Sequence, residues 1–138
     1  MIVGVGVDIV DVERFKWMVR RTPSTLDRTM TRHETHDDSG RARTAESLAA
    51  RFAVKEAVIK CLGDVAELRP LDCELVTAES GRPSIRLSGR LAELSDAAGI
   101  TDWHVSLSHD GGNAIAYVIA EGVSSLDGAA SVRMSESA

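Results

Sequence analysis

From Ile2 to Val10 the chain alternates as a strand does, with Val3, Val5, Val7 and Ile9 on one face and Gly4, Gly6 and Asp8 on the other. A helix follows, capped by Asp11 and ended by Thr22-Pro23, with Val12, Phe15 and Val19 as its inward stripe. Ser24 to Glu34 reads as another short helix, and the polar run to Arg43 as a mobile loop. After Gly63 and the polar segment 64–70, strands are expected at Cys73 to Thr77 and around Ile85-Arg86-Leu87, joined by a turn at Ala78 to Pro83. Ser88 opens a helix that turns Leu91 and Leu94 inward and ends at Gly99. Trp103, Val105 and Leu107 then alternate with His104, Ser106 and Ser108, and Asp110-Gly111-Gly112-Asn113 turns the chain into Ala114 to Ala120. The near-continuous apolar run of that last strand predicts burial on both faces.

The pattern changes most between about Thr44 and Leu62. Alanine and straight-chain residues favour a helix there, and Gly63 stops it. At about 100° per residue, Leu48, Phe52, Ile59 and Leu62 fall on one side while Ala53, Val54, Ala57, Val58 and Cys61 cover the other. A helix apolar nearly all round is a buried helix. It nevertheless carries Arg51, Lys55, Glu56 and Lys60, and an unpaired buried ion is costly. Glu56 and Lys60 stand four apart in the favourable order, whereas Arg51 and Lys55, also four apart, repel unless an anion lies over them. Two readings stay open: arginine and lysine stems that snorkel to water beside a structural Glu56–Lys60 pair, or a polyanion site with cations for phosphates and a carboxylate for a divalent metal.

Composition narrows the class. The 138 residues suffice for one cored domain, and 27% charged with 43% hydrophobic residues is ordinary for a soluble globular protein. A net charge of -5 disfavours nucleic acid, no apolar run reaches bilayer length, and Ile2 to Val7 lacks the flanks of a signal peptide, so a cytoplasmic protein without a membrane partner is expected. Cys61 and Cys73 fit neither a zinc ribbon nor a redox pair and read as reduced core thiols. Residues 122–138 are mostly small and polar, which predicts a disordered or loosely attached tail after a single domain over 1–121.

Several side chains invite chemistry. Two glycines on one strand face allow close approach of a helix, so Asp8 can come near Glu56, and a shared Mg²⁺ would relieve two converging carboxylates; Asp8 as a turn or cap is the plainer alternative. Arg14, Trp17 and Arg21, with Lys16 and Arg20 nearby, form a basic face around a tryptophan that suits an acidic partner or is simply solvated. His33 and His36 stand three apart and do not make the four-apart pair of a helical metal site. Arg82 between Gly81 and Pro83 can hold a phosphate at a loop tip or be only a turn residue. Ser106 and Ser108, a hydroxyl row ending in His109, can bind phosphate oxygens or a pantetheine arm, or form the watery face of an antiparallel sheet.

Three separated pieces, Gly4-Val5-Gly6-Val7-Asp8-Ile9 with Val12 and Arg14, Arg51-Phe52-Ala53 with Lys55-Glu56-Ala57, Lys60 and Leu62-Gly63, and Ser106-Leu107-Ser108-His109, together with Gly81-Arg82-Pro83, closely resemble the holo-[acyl-carrier-protein] synthase family of small bacterial 4'-phosphopantetheinyl transferases. The resemblance runs from about Met1 to Glu121 and implies an α+β fold, an antiparallel sheet packed on a long buried helix, assembled as a homotrimer with active sites between subunits. It implies transfer of 4'-phosphopantetheine from coenzyme A to a serine of an apo acyl carrier protein, with release of adenosine 3',5'-bisphosphate. By the same match Asp8 and Glu56 would hold Mg²⁺, Lys60 would steady or protonate the leaving group, and Glu56 would help deprotonate the serine through a water. Arg51, Lys55, Lys60, Gly63, Arg82, Pro83, Ser106, Ser108 and His109 would surround coenzyme A, and Arg14 with Arg21 would meet the carrier's acidic helix.

The chain departs from the family pattern in places. The family's Phe-Thr-x-x-Glu stands here as Met30-Thr31-Arg32-His33-Glu34, a second glycine soon after Gly63 is missing, and Pro70 replaces an aromatic ahead of Asp72-Cys73-Glu74. These changes leave the carboxylate pair intact and bear on adenine contacts and carrier choice, so a carrier of polyketide type would also fit. The rival from another class is a silent coenzyme A or nucleotide module that docks on a carrier without modifying it. Such a module has no need of both Asp8 and Glu56.

Overall fold

The computed structural model describes residues 1–63 and 68–123. Five strands and five α-helices follow in the order β1 (Ile2–Asp11), α1 (Val12–Arg21), α2 (Ser24–Thr29), α3 (Arg32–Thr35), α4 (Ala45–Cys61), a 3₁₀ turn Pro70–Asp72, β2 (Cys73–Thr77), β3 (Pro83–Leu87), α5 (Gly89–Ala97), β4 (Ile100–Asp110) and β5 (Asn113–Gly122). The antiparallel sheet has the order β1-β5-β4, and β2 and β3 form a separate antiparallel hairpin. This is the expected α+β arrangement, with α4 laid across the sheet.

Glycine permits that packing. A Cβ on Gly6 would lie 2.1 Å from the Ala57 carbonyl oxygen, and one on Gly4 would lie 3.0 Å from that of Cys61. Strand and helix backbones therefore touch where any side chain would hold them apart. Around this contact Ala53, Val54, Ala57 and Val58 pack with Cys73, Leu75, Leu91, Ala116 and Val118, while Val12, Phe15 and Met30 pack on the first turns of α4 at Ala49 and Ala50. Thr44 caps α4 by accepting from the Ser47 amide at 3.2 Å, as Asp11 caps α1 from Arg14 at 2.9 Å.

Five sequence expectations change. The helix expected from Ser24 to Glu34 breaks at the extended Met30, and α3 starts afresh at Thr31 with a capping box closed by Glu34. The run to Arg43, expected to be mobile, is a hydrogen-bonded turn: the Asp37 carboxylate accepts from the amides of Ser39 and Arg41 at 2.9 Å, and His36 bridges to Ala42. Ser88 occupies the N-cap of α5 without a side-chain cap bond. In β5, Ala114, Ala116, Val118 and Ala120 are buried, but Ile115 and Tyr117 are 40% and 45% exposed, so only one face is covered within the chain. Of the expected tail, Gly122 belongs to β5, and 124–138 lie outside the described residues. No helix among the described residues is long and apolar enough to cross a membrane.

Candidate active site

The close approach at Gly6 fixes what happens two residues later. Asp8 shares the face of Gly6 and so meets the turn of α4 that carries Glu56. The two carboxylates line one cleft of about 310 Å³, whose wall also includes Asp11, Arg14, Phe15, Met18 and Phe52. Burial pushes the Glu56 pKa up, and the neighbouring Asp8 charge pushes it further, with Lys60 acting in the opposite direction. Lys60 pairs across elements: its Nζ lies 2.8 Å from Asp8 Oδ1 and donates to the Val7 carbonyl at 3.2 Å. The i,i+4 pair that the spacing suggests between Glu56 and Lys60 is replaced by this bond from helix to strand. Two carboxylates and an ammonium thus gather from strand and helix, with Asp8 and Lys60 lying 52 positions apart in sequence.

Lys55, one residue earlier, turns inward. Its ammonium donates to Glu34 Oε1 at 2.8 Å, to the Pro70 carbonyl at 3.1 Å and to the Cys73 carbonyl, which uses all three of its protons. Lysine and glutamate side chains are both fully buried. An expected contact between Lys55 and the nucleotide does not fit this placement, since the ammonium is enclosed and satisfied. Glu34 was the residue that sequence reasoning passed over. Its signals were the Thr31-x-x-Glu34 capping spacing and the need of a buried lysine for a counter-ion.

The remaining residues expected around coenzyme A do not converge on Asp8 and Glu56 within one chain. Ser106 and Ser108 pair with Tyr117 and Ile115, on the sheet face turned away from α4. His109 pairs with Ala114 on the other face, beside a hollow lined by Glu13, Glu46 and the hairpin turn. The hydroxyl row therefore does not end in His109. Gly63 follows α4 with φ +82°, and Arg82 is exposed at the tip of the β2–β3 hairpin after Gly81 at φ +81°. Near that hairpin a cavity of about 620 Å³ is lined by His33, Arg43, Glu74, Gly81 and Arg86.

Arg51 is 6% exposed and donates to the Leu75 carbonyl at 3.5 Å. Burial pulls its pKa down, Arg43 pulls it further, and Glu34 opposes both. The Nε atoms of Arg43 and Arg51 are buried and, among the described residues, have no hydrogen-bond partner. On the outer face of α1, Trp17 is 54% exposed with the Arg21 guanidinium 5.0 Å from its ring centre, and Arg14 stands at the carboxylate cleft. Cys61 and Cys73 are free thiols, as expected, and burial pushes Cys73 up to about 12.

Comparison with known proteins gives these positions a context. The 4'-phosphopantetheinyl transferase superfamily model matches residues 4–119. A holo-[acyl-carrier-protein] synthase of Salinispora arenicola is 52% identical over 121 residues, covering 88% of this chain and 99% of that protein. The acyl carrier protein synthase structure from Mycobacterium tuberculosis is 41% identical with a TM-score of 0.67, covering 89% of this chain and 100% of the other. The Helicobacter pylori holo-[acyl-carrier-protein] synthase in complex with coenzyme A is 32% identical with a TM-score of 0.70, covering 85% and 99%.

Proposed function

The chain belongs to the 4'-phosphopantetheinyl transferase superfamily, and from that premise we propose that Asp8, Glu56 and Lys60 are the groups with which it works. Its reaction moves the 4'-phosphopantetheine of coenzyme A onto a serine of an apo acyl carrier protein and releases adenosine 3',5'-bisphosphate. The serine oxygen forms a bond to the phosphorus nearer the pantetheine, and the bond from that phosphorus to the bridging oxygen breaks. Glu56, whose pKa is raised, accepts the serine proton through a water, and Lys60 Nζ meets the departing phosphate oxygen. The observation that carries this assignment is the shared cleft of Asp8 and Glu56.

Two converging carboxylates, of which Glu56 resists ionisation, fit a hard divalent cation, and Mg²⁺ accepts as few as one or two protein carboxylates. When bound there, Mg²⁺ neutralises charge building on the pyrophosphate oxygens. Arg51, with the neighbouring Arg43, is assigned to the 3'-phosphate of the nucleotide, the one not held at the carboxylate cleft, since buried guanidinium Nε donors with no hydrogen-bond partner among the described residues suit an anion. Arg82 and Pro83, near the large cavity, are assigned to the adenosine end. Arg14 and Arg21 on the basic face of α1 are assigned to the acidic carrier protein.

A homotrimer with sites between subunits agrees with two features. Val5, Val7, Ile9, Ile115 and Tyr117 leave an apolar sheet face exposed. Ser106, Ser108 and His109 lie away from the carboxylate cleft, where a neighbouring copy could use them. Free thiols and the coenzyme A substrate agree with a cytoplasmic location, and one domain over 1–121 agrees with the span of the family match. The test is incubation with coenzyme A, Mg²⁺ and apo carrier proteins of fatty-acid and polyketide type, read by intact mass. A phosphopantetheine mass gain on one carrier is expected. Binding of coenzyme A without a mass gain on any carrier would favour a silent docking module.

A further inference from the structure

The buried Glu34–Lys55 pair has no place in the reaction just described, yet its bonds lead toward both arginines of the proposed phosphate site. Glu34 Oε2 accepts from the Leu75 amide at 3.2 Å, and the carbonyl of that same Leu75 accepts from Arg51 Nη1 at 3.5 Å. Glu34 Oε1 accepts from the Thr31 amide at 3.1 Å and so closes the turn of α3. The far end of that turn holds Arg43, whose amide donates to the Thr35 carbonyl at 2.9 Å and whose Nη2 donates to the His33 carbonyl at 3.2 Å. Lys55 ties the start of β2 to α4 through the Pro70 and Cys73 carbonyls.

We infer that the Glu34–Lys55 ion pair is a positioning device for a phosphate-binding pair of arginines: it fixes β2, which aims Arg51, and α3, which aims Arg43. The physical reason lies in repulsion. Two neighbouring guanidiniums, each with a buried Nε lacking a protein partner among the described residues, do not stay together unless the backbone on each side is held. A charged anchor with every proton and most lone pairs bonded supplies that rigidity, which an apolar filler of equal volume does not. Glu34 and Lys55 are thus positioning residues and touch no ligand.

This inference rests on the phosphate assignment of Arg51 made above, and its test separates the two. Binding of adenosine 3',5'-bisphosphate and of adenosine 5'-monophosphate is measured by calorimetry on the full-length protein. The wild-type protein is expected to prefer the bisphosphate, and Glu34→Gln to lose about tenfold of that preference with affinity for the monophosphate unchanged, as a slight misplacement of binding groups produces. Should Glu34→Gln fail to fold, the paired variant Glu34→Leu/Lys55→Met keeps the volume without the charges and is expected to lose the same preference. A folded variant that keeps the wild-type preference, or loses affinity for both nucleotides equally, would overturn the positioning role. Absence of any preference in the wild-type protein would overturn the phosphate assignment, and this inference with it.

Discussion

Lys55 and Glu56 are adjacent in sequence and about 100° apart around α4, and they serve opposite ends. Lys55 faces α3 and the start of β2, where one carboxylate and two carbonyls enclose it. Glu56 faces β1, where burial and then a second carboxylate raise its pKa and the nearby ammonium pairs with Asp8. A charge whose partners are all protein is settled and holds the fold. A charge left in a cleft beside a like charge calls for a ligand from outside. The same helix therefore supplies an anchor and, in the proposed reaction, a reactive centre from consecutive residues.

The contrast can be broken most sharply at the cleft. Asp8→Ala or Glu56→Ala is expected to lower transfer by about 10³-fold with little change in melting temperature, as read by carrier mass gain and calorimetry. At the enclosed side the order reverses. Lys55→Met alone leaves Glu34 buried and uncompensated and is expected to destabilise the protein by about 3–5 kcal/mol in denaturant unfolding, whereas adding Glu34→Leu restores most of that. If Lys55→Met instead left stability intact and removed activity, the division between the two regions would be wrong.

Smaller effects sharpen it further. Arg14→Ala is expected to raise the carrier's KM about fivefold while coenzyme A affinity holds; equal effects on both would remove its docking role. The acid limb of metal binding should lie above that of an ordinary glutamate near 4.5, because Glu56 keeps its proton to higher pH. For stability the sign is the same as for any group with a raised folded pKa. The contribution of protonated Glu56 is present below 4.5 and is lost as pH rises through the raised value. Asp8→Asn removes one cause and should move the Glu56 carboxyl titration downward, which carbon-detected NMR can follow.

Local pattern made much of this legible. Gly4 and Gly6 announced a close helix, and the carboxylate two residues on could then be placed near Glu56 from strand alternation alone. Gly63 marked the end of α4 by capping chemistry, and alanine-rich propensity placed its start near Thr44, the N-cap in the structure. What the sequence hid depends on pairings between distant segments. Glu34 lies 21 residues from Lys55, and nothing local says that a broken helix at Met30 will aim its capping glutamate into the core. Ser108 and His109 are the exception: as neighbours on β4 they lie on opposite faces by strand alternation, so the sequence already argued against one row. The apolar run of β5 could not reveal that one chain covers only half of it.

The central claim is that Asp8 and Glu56 together grip a divalent cation, while the charge pair one residue away takes no part. Titration of the full-length protein with Mn²⁺, followed by electron paramagnetic resonance, measures this directly. The account predicts an affinity that falls at least about 100-fold in both Asp8→Ala and Glu56→Ala and stays unchanged in Glu34→Leu/Lys55→Met. Parental Mn²⁺ affinity in either cleft variant, with the protein folded, would contradict it.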